Sequence, residues 1–507
     1  MSADKSSSSS STTGADPVKP KSPRNLVILC DGTGDQFSAH NSNVVKALSV
    51  LQADEQQLVY YTSGVGTVFA SGTSMWGKIG HKISVLSDEA FAWSFGDFVC
   101  DAYKFLMDYH QTGDRVYIFG FSRGAYTARA LAGMVQKVGL LPPGNHSQVK
   151  LAYEIYKTPN KDDREMAIKD KTMPLSTQYR RIFGISRPVV LHFVGVWDTV
   201  SSLGGVNLPR LPFASGVQAV TFFRQALALD ERRARFKPEY RRLDKGEHPV
   251  DISKLAAKPK DGDDGTPRQN VECWFMGCHS DVGGGEDQNF TASLSNIPFR
   301  WMIREAAKCG IRLDASQIVC QPAFSDVQTV KDSGIIPEQL RKLLDEMSLS
   351  PVIDYDKEEA VRALIDEHLR PPALLNLVTM AAAYDTTLEG DVGAGAPISP
   401  DLEQLIEQSL TPQWYILELL PLETRTYTDT EETPHDHVQM NLFKGRQVIT
   451  SQYIHRSVQK RFRYDKPLDG STPTHSGKYG GPAAALPKEW GTTWEELRSG
   501  GPDIWED

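Results

Sequence analysis

Residues 115–126 read RVYIFGFSRGAY, and the fold is decided there. Residues 115–119 form an apolar run of the kind found in a strand buried on both faces of a parallel sheet. Residues 122–138 follow at once. They predict a helix whose Ala125, Ala128, Ala130 and Ala132 thin it enough to pack closely on that sheet. Between the two, Gly120-Phe121-Ser122-Arg123-Gly124 fits G-x-S-x-G in the strand–turn–helix context that gives the motif its meaning. A serine on so sharp a turn has strained backbone geometry, and the flanking glycines let strand and helix approach. Its hydroxyl then projects above the sheet at a helix N-terminus, where the dipole favours developing negative charge.

Working outward, strands and helices alternate. Residues 25–30 (NLVILC) read as a buried strand ending in the tight turn Asp31-Gly32-Thr33-Gly34. Residues 41–51 look helical, 58–61 look like a second strand, and 88–110 carry apolar residues at helical spacing. Residues 188–197 form an apolar strand ending in Asp198, 216–229 read as a helix, 271–277 as a strand ending at Cys278-His279, and 299–309 as the helix after it. This alternation predicts an α/β fold, a doubly wound and mainly parallel sheet of the α/β-hydrolase type with helical insertions and a C-terminal extension. The expected organisation is a disordered Ser-rich arm over 1–24, a catalytic core over 25–315, a helical cap or core-completing region over 316–470, and a loosely ordered tail over 471–507. Amphipathic helices are expected at 337–347 and 357–369, an apolar segment at 413–420, and a helix at 451–461.

A nucleophilic serine needs a base, and the base needs an orienting acid. In this fold the chain order is Ser, then Asp or Glu, then His. Asp198 and His279 both lie at C-terminal ends of expected strands, where parallel sheets open their ligand crevice. The candidate catalytic set is therefore Ser122, Asp198 and His279. Asp198 instead capping a turn is the plainer alternative, and His435, His437 and His455 compete with His279; His192, inside a strand, reads as a core residue. For an oxyanion hole, one backbone N–H is expected from Arg123 and the second from Gly32 or Thr33. Arg123 and Asp31 are the candidate substrate-binding side chains. Arg123 suits an anionic group such as a phosphate, or else a salt bridge on the elbow. The run Gly283-Gly284-Gly285 suggests close backbone approach or a mobile loop.

Composition narrows the class. The chain has 507 residues, 40% of them hydrophobic, and a formal net charge of -9, a balance that argues against a general nucleic-acid partner. The N-terminus lacks the apolar core of a signal peptide, and no stretch approaches the roughly 18 apolar residues that cross a bilayer. Six sparse cysteines read as free thiols in a reducing, cytoplasmic setting. Cys273 and Cys278 lack zinc-site spacing. No cofactor or metal is expected, and oligomeric state is left open.

Taken together, NLVILCDGTGDQF, NSNVVKAL, GFSRGAYTARALAGMV, VGVWDTVSSLGG and CWFMGCHSDVGGG resemble an uncharacterised α/β-hydrolase domain family. That family includes the catalytic domain of type VI secretion phospholipase effectors and many fungal members. The resemblance covers roughly residues 25–310, with a weaker echo through 413–420 and 454–458. It implies an ester hydrolase, acting on phospholipid or other lipid esters, with Ser122, Asp198 and His279 as its triad. No counterpart of a toxin's membrane-targeting domain accompanies it, so a eukaryotic cytosolic esterase is an equal expectation. Peripheral contact with a lipid surface is expected if the C-terminal helices form a lid.

Three rivals stand beside this reading. The first is a non-catalytic α/β-hydrolase scaffold that binds a partner. The second is a metal-assisted hydrolase using Asp31, Asp35, Asp281 and Asp287, whose spacing fits no motif. The third is a nucleotide-binding loop at residues 72–79 (GTSMWGKI), which ends in Ile79 where a hydroxyl is required for Mg²⁺.

Overall fold

The computed structural model describes residues 23–32, 37–64, 80–184, 188–200, 202–203, 206–207, 211–212, 220–241, 268–325, 327–348, 355–384, 400–404, 406, 415, 419, 422–426, 435–442, 444–465, 484–488, 491–498 and 505–506. The decoy loop at 72–79, Thr33, Asp35 and most of 413–420 lie outside them.

Eight strands form the central sheet: β1 Asn25–Cys30, β2 Gln57–Thr62, β3 Arg115–Phe121, β4 Val190–Trp197, β5 Val220–Ala228, β6 Asn270–Phe275, β7 Tyr453–His455 and β8 Trp505–Glu506. They run in the order β8-β7-β6-β5-β4-β3-β1-β2. Every neighbouring pair is parallel. The helices that frame the site are α1 Asn43–Val50, α2 Gly80–Tyr109, α3 Ser122–Val138, the short α4 His279–Gly283 and α5 Asn296–Lys308.

Period-2 alternation distributes each strand between two cores. From β1, Leu26, Ile28 and Cys30 join the core packed by α2 and α3, while Val27 and Leu29 join the core packed by α1 and α5. From β3, Val116 and Ile118 go to the first core and Tyr117, Phe119 and Phe121 to the second. Helices therefore cover both faces, which is why these strands read as unbroken apolar runs. The alanines of α3 named above are all fully buried.

Residues 216–229 need correction. The expected helix is strand β5, central in the sheet between β4 and β6. Arg224 and Gln225 give the stretch an apparent polar helical face. Both are instead wholly buried and held by tertiary partners: Arg224 Nε donates to Glu305 Oε2 at 2.9 Å, and Gln225 Nε2 donates to Glu272 Oε1 at 2.7 Å. The expected helix at 451–461 likewise splits into strand β7 and the helix Arg456–Asp465.

Described residues of the C-terminal third pack into the α1/α5 core. Phe324, Leu340, Ile365, Leu377 and Leu402 are buried in one cluster with Trp197, Trp274 and Trp301. The last turns, expected as a loose tail, carry the helix Trp494–Arg498 and strand β8, which pairs with β7 through Ile454–Trp505 and His455–Glu506. Among the described residues, no helix is long and apolar enough to cross a membrane.

Candidate active site

Strand β3 passes into α3 with no loop between them. Ser122 takes φ +56°, a left-handed backbone that side chains avoid. The elbow is possible because its glycines leave no Cβ in the way. At Gly124 a Cβ would lie 2.3 Å from the carbonyl oxygens of Cys30 and Asp31, and at Gly120 it would lie 2.6 Å from the Gly124 carbonyl.

Two further strand ends meet this serine. Asp198 follows β4, also left-handed at φ +43°, and is completely buried. His279 opens α4 just after β6. It is reached through a turn at Gly277 (φ +103°), whose N–H donates to Asp230 Oδ2 at 2.7 Å. Asp281 accepts from the Cys278 N–H at 2.8 Å and pins the start of that helix.

Ser122 Oγ lies 2.8 Å from His279 Nε2, and His279 Nδ1 lies 2.6 Å from Asp198 Oδ2. An Nδ1–H donated to Asp198 leaves Nε2 free to accept from the serine hydroxyl. The imidazole is clamped between two rings. Phe121 lies 4.7 Å away at 32°, and Phe236 lies edge-on at 4.9 Å. All three polar side chains are buried, with Ser122 the most accessible at 8%. The arrangement can pass a proton from Oγ to Nε2 while Asp198 stabilises the resulting imidazolium.

Electrostatics suit that transfer. Burial holds the His279 imidazole below its ordinary pKa, against the opposing pull of Asp198, so it is neutral near pH 7. Burial pushes the Asp198 carboxyl up, but the charge of Arg446 and hydrogen bonds from His279 and Arg446 outweigh it. The group stays well below the usual carboxylate range.

Several of these neighbours were not legible as site residues. Arg446 Nη1 and Nη2 donate to Asp198 Oδ1 and Oδ2 at 2.5 and 2.7 Å, across 248 residues of chain. Glu231 Oε2 accepts from the His279 N–H at 3.3 Å and pairs with Arg233 at 2.7 Å. Asp230 and Glu231 stand just beyond β5. Reading 216–229 as a strand would have marked them as strand-end carboxylates. Arg446 carries no such signal.

The remaining candidates fall as follows. Asp31 is buried at the end of β1, accepting from Ser42 Oγ at 2.6 Å, Tyr61 Oη at 2.8 Å and the Gly32 N–H at 2.8 Å. Burial raises its pKa despite those donors. The Gly32 N–H, considered above for an oxyanion hole, thus points at the Asp31 carboxylate. Arg123 is half-buried in the first turn of α3. His192 Nε2 contacts the Cys309 carbonyl at 2.9 Å, and His455 pairs with Ser457 and stacks on Phe275. His435 and His437 sit in a separate two-stranded hairpin. Gly283 and Gly284 serve close approach: a Cβ on Gly283 would enter the Phe121 ring, and Gly284 bridges to Ser42. Among the described residues, no three His, Cys, Asp or Glu side chains gather where they could hold a metal ion.

Residues 24–305, more than half of the chain, match the family described as the T6SS phospholipase effector Tle1-like catalytic domain. An uncharacterized protein of Saccharomyces cerevisiae is 34% identical over 224 residues. That alignment covers 43% of this chain and 32% of the yeast protein, so the chain spans about a third of that relative. An uncharacterized protein from Pseudomonas aeruginosa is structurally similar at a TM-score of 0.31 and 15% identity, over 74% of this chain and 68% of the other. The Tle1 effector bound to the VgrG spike of the type VI secretion system gives 0.25 and 18%, over 54% and 53%.

Proposed function

The chain belongs to the type VI secretion phospholipase effector Tle1-like catalytic-domain family, and on that premise we propose that it is a serine hydrolase of carboxylic esters, with phospholipids or other lipid esters as substrates. The observation that carries the proposal is the continuous hydrogen-bond relay from Ser122 through His279 to Asp198, built from three separate strand ends.

In the proposed reaction His279 Nε2 takes the proton of Ser122 as Oγ bonds to the ester carbonyl carbon. Collapse of the tetrahedral intermediate breaks the bond to the leaving alkoxide, which receives that proton from His279 and departs as the alcohol. Water then attacks the acyl-serine with His279 again as base, which releases the acid and restores Ser122. Asp198 holds the imidazole in its tautomer throughout. We assign one oxyanion donor to the Arg123 N–H in the first turn of α3, where the helix dipole adds to it. With the Gly32 N–H taken by the Asp31 carboxylate, Thr33 is the proposed second donor. The Arg123 side chain and Asp31 are the proposed substrate-facing groups. Six free cysteines, five of them buried, favour a reducing cytoplasmic setting.

The test is hydrolysis of p-nitrophenyl esters from acetyl to palmitoyl, and of phospholipid vesicles, by wild type and Ser122→Ala, alongside labelling with a fluorophosphonate. Turnover and labelling that both vanish in Ser122→Ala are expected. A folded wild type that neither turns over nor labels would leave a binding scaffold.

A further inference from the structure

The family match ends at residue 305, yet the site does not. A strap over residues 441–450 runs back across the end of β5. Asn441 Nδ2 donates to the Arg232 carbonyl at 2.9 Å, and the backbone of Arg446 and Val448 pairs with Ala485 at 2.8 and 2.9 Å. From this strap the Arg446 side chain, 1% exposed, enters the core behind Asp198. Its guanidinium is fully used. Besides the two bonds to Asp198, it donates to the carbonyls of Ala228 at 3.2 Å and Phe236 at 2.6 and 3.1 Å. Asp198 Oδ1 also accepts from the Ala228 N–H at 3.0 Å. Each carboxylate oxygen therefore meets two donors, and the one left to His279 is set in direction by the others.

We propose that Arg446 is a positioning residue of the hydrolase site, supplied by the chain beyond the family segment, which aims the Asp198 carboxylate at His279 and limits how strongly it holds an imidazolium. The inference rests on the serine-hydrolase reading. A bidentate guanidinium suits the task because it fixes the carboxylate plane as well as neutralising its charge. The same cation competes with the imidazolium for Asp198, so it keeps His279 neutral at lower pH than an Asp–His pair alone. The other charges facing this group are Arg233, which opposes protonation of His279, and Glu231, which favours it. Both remain in the variants below. Tyr240 and Glu231 are the further titratable groups facing Arg446.

The test compares wild type, Arg446→Met and Arg446→Lys by fluorophosphonate labelling rate against pH, and by NMR titration of the His279 imidazole. Arg446→Met is expected to move the acid limb and the imidazole titration up by about one pH unit, because an opposing charge is gone. Its plateau rate falls roughly tenfold through lost orientation. Arg446→Lys keeps the charge and is expected to keep the limb, yet loses plateau rate because an ammonium binds as a point. If Arg446→Met does not fold, the Lys variant decides: a wild-type plateau would overturn the inference. A folded Arg446→Met with an unmoved titration would overturn it as well. The hydrolase reading fails separately, if Ser122→Ala still labels; the imidazole titration reports on Arg446 in either case.

Discussion

Gly124 in the first turn of α3 lies against the backbone of Asp31 at the end of β1, so closely that a methyl group there would come within 2.3 Å of the Asp31 carbonyl oxygen. That contact brings the turn after β1 beside the serine elbow. Rigid backbone stands on the other side, so no flexible side chain is available to yield.

Gly124→Ala is therefore expected to cost about 1–3 kcal/mol of stability through overpacking, and to reduce ester hydrolysis or fluorophosphonate labelling more than the folded fraction alone explains. Urea unfolding monitored by tryptophan fluorescence, with labelling at matched folded fraction, measures both. A wild-type midpoint would show that the elbow has room the geometry denies.

Activity should follow the neutral form of His279. Burial lowers its pKa from the ordinary 6.5, so the base is competent at pH 7 and is lost only as pH falls through a value below 6.5. Asp198 stays ionised across that window. A kcat/KM profile with a single acid limb centred below pH 6.5 is the expected result. A limb above 6.5 would mean that Asp198 outweighs burial at the imidazole.

The Phe236 ring meets the His279 imidazole edge-on at 4.9 Å, and the Arg233 guanidinium lies over the Phe236 ring, 3.5 Å from its centroid. Phe236→Ala removes one wall of the clamp while leaving every hydrogen bond of the relay in place. A fall in kcat of roughly tenfold is expected from the freed ring, with thermal stability changed far less than activity. Unchanged kcat would show that Phe121 and Asp198 suffice to hold the base.

Arg224 and Glu305 form a buried pair that ties β5 to α5. Removing the cation alone, in Arg224→Met, is expected to destabilise the fold by about 3 kcal/mol, because Glu305 then keeps its charge with less compensation. Burial raises the Glu305 pKa, but Arg224, Arg304 and Lys308 pull it down to about 2. Its folded value is thus below its unfolded one. The stabilisation is fully present above about pH 4.5 and is lost as pH falls toward 2. Acid unfolding of wild type against Glu305→Gln should show a shallower pH dependence in the variant. Parallel curves would remove Glu305 from the acid response.

The local pattern of the chain determined a good deal. Apolar runs at 25–30, 115–119 and 188–197 are legible as strands because a doubly covered sheet needs both alternating faces apolar. The G-x-S-x-G turn is legible because steric crowding at a strand–helix elbow leaves no room for a Cβ two residues either side of the serine. Asp198 and His279 are legible as candidates because strand ends are where such sheets present side chains. Strand β5 was not legible, since Arg224 and Gln225 look like a solvent-facing stripe until Glu305 and Glu272 arrive from distant segments to hold them. The same holds for Arg446. Its contact with Asp198 depends on no spacing or period, only on a strap that the folded sheet brings back across 248 residues. Periodicity and turn sterics are local properties and so are written in the sequence, whereas the partners of a buried charge are chosen by packing and appear only once the chain has folded.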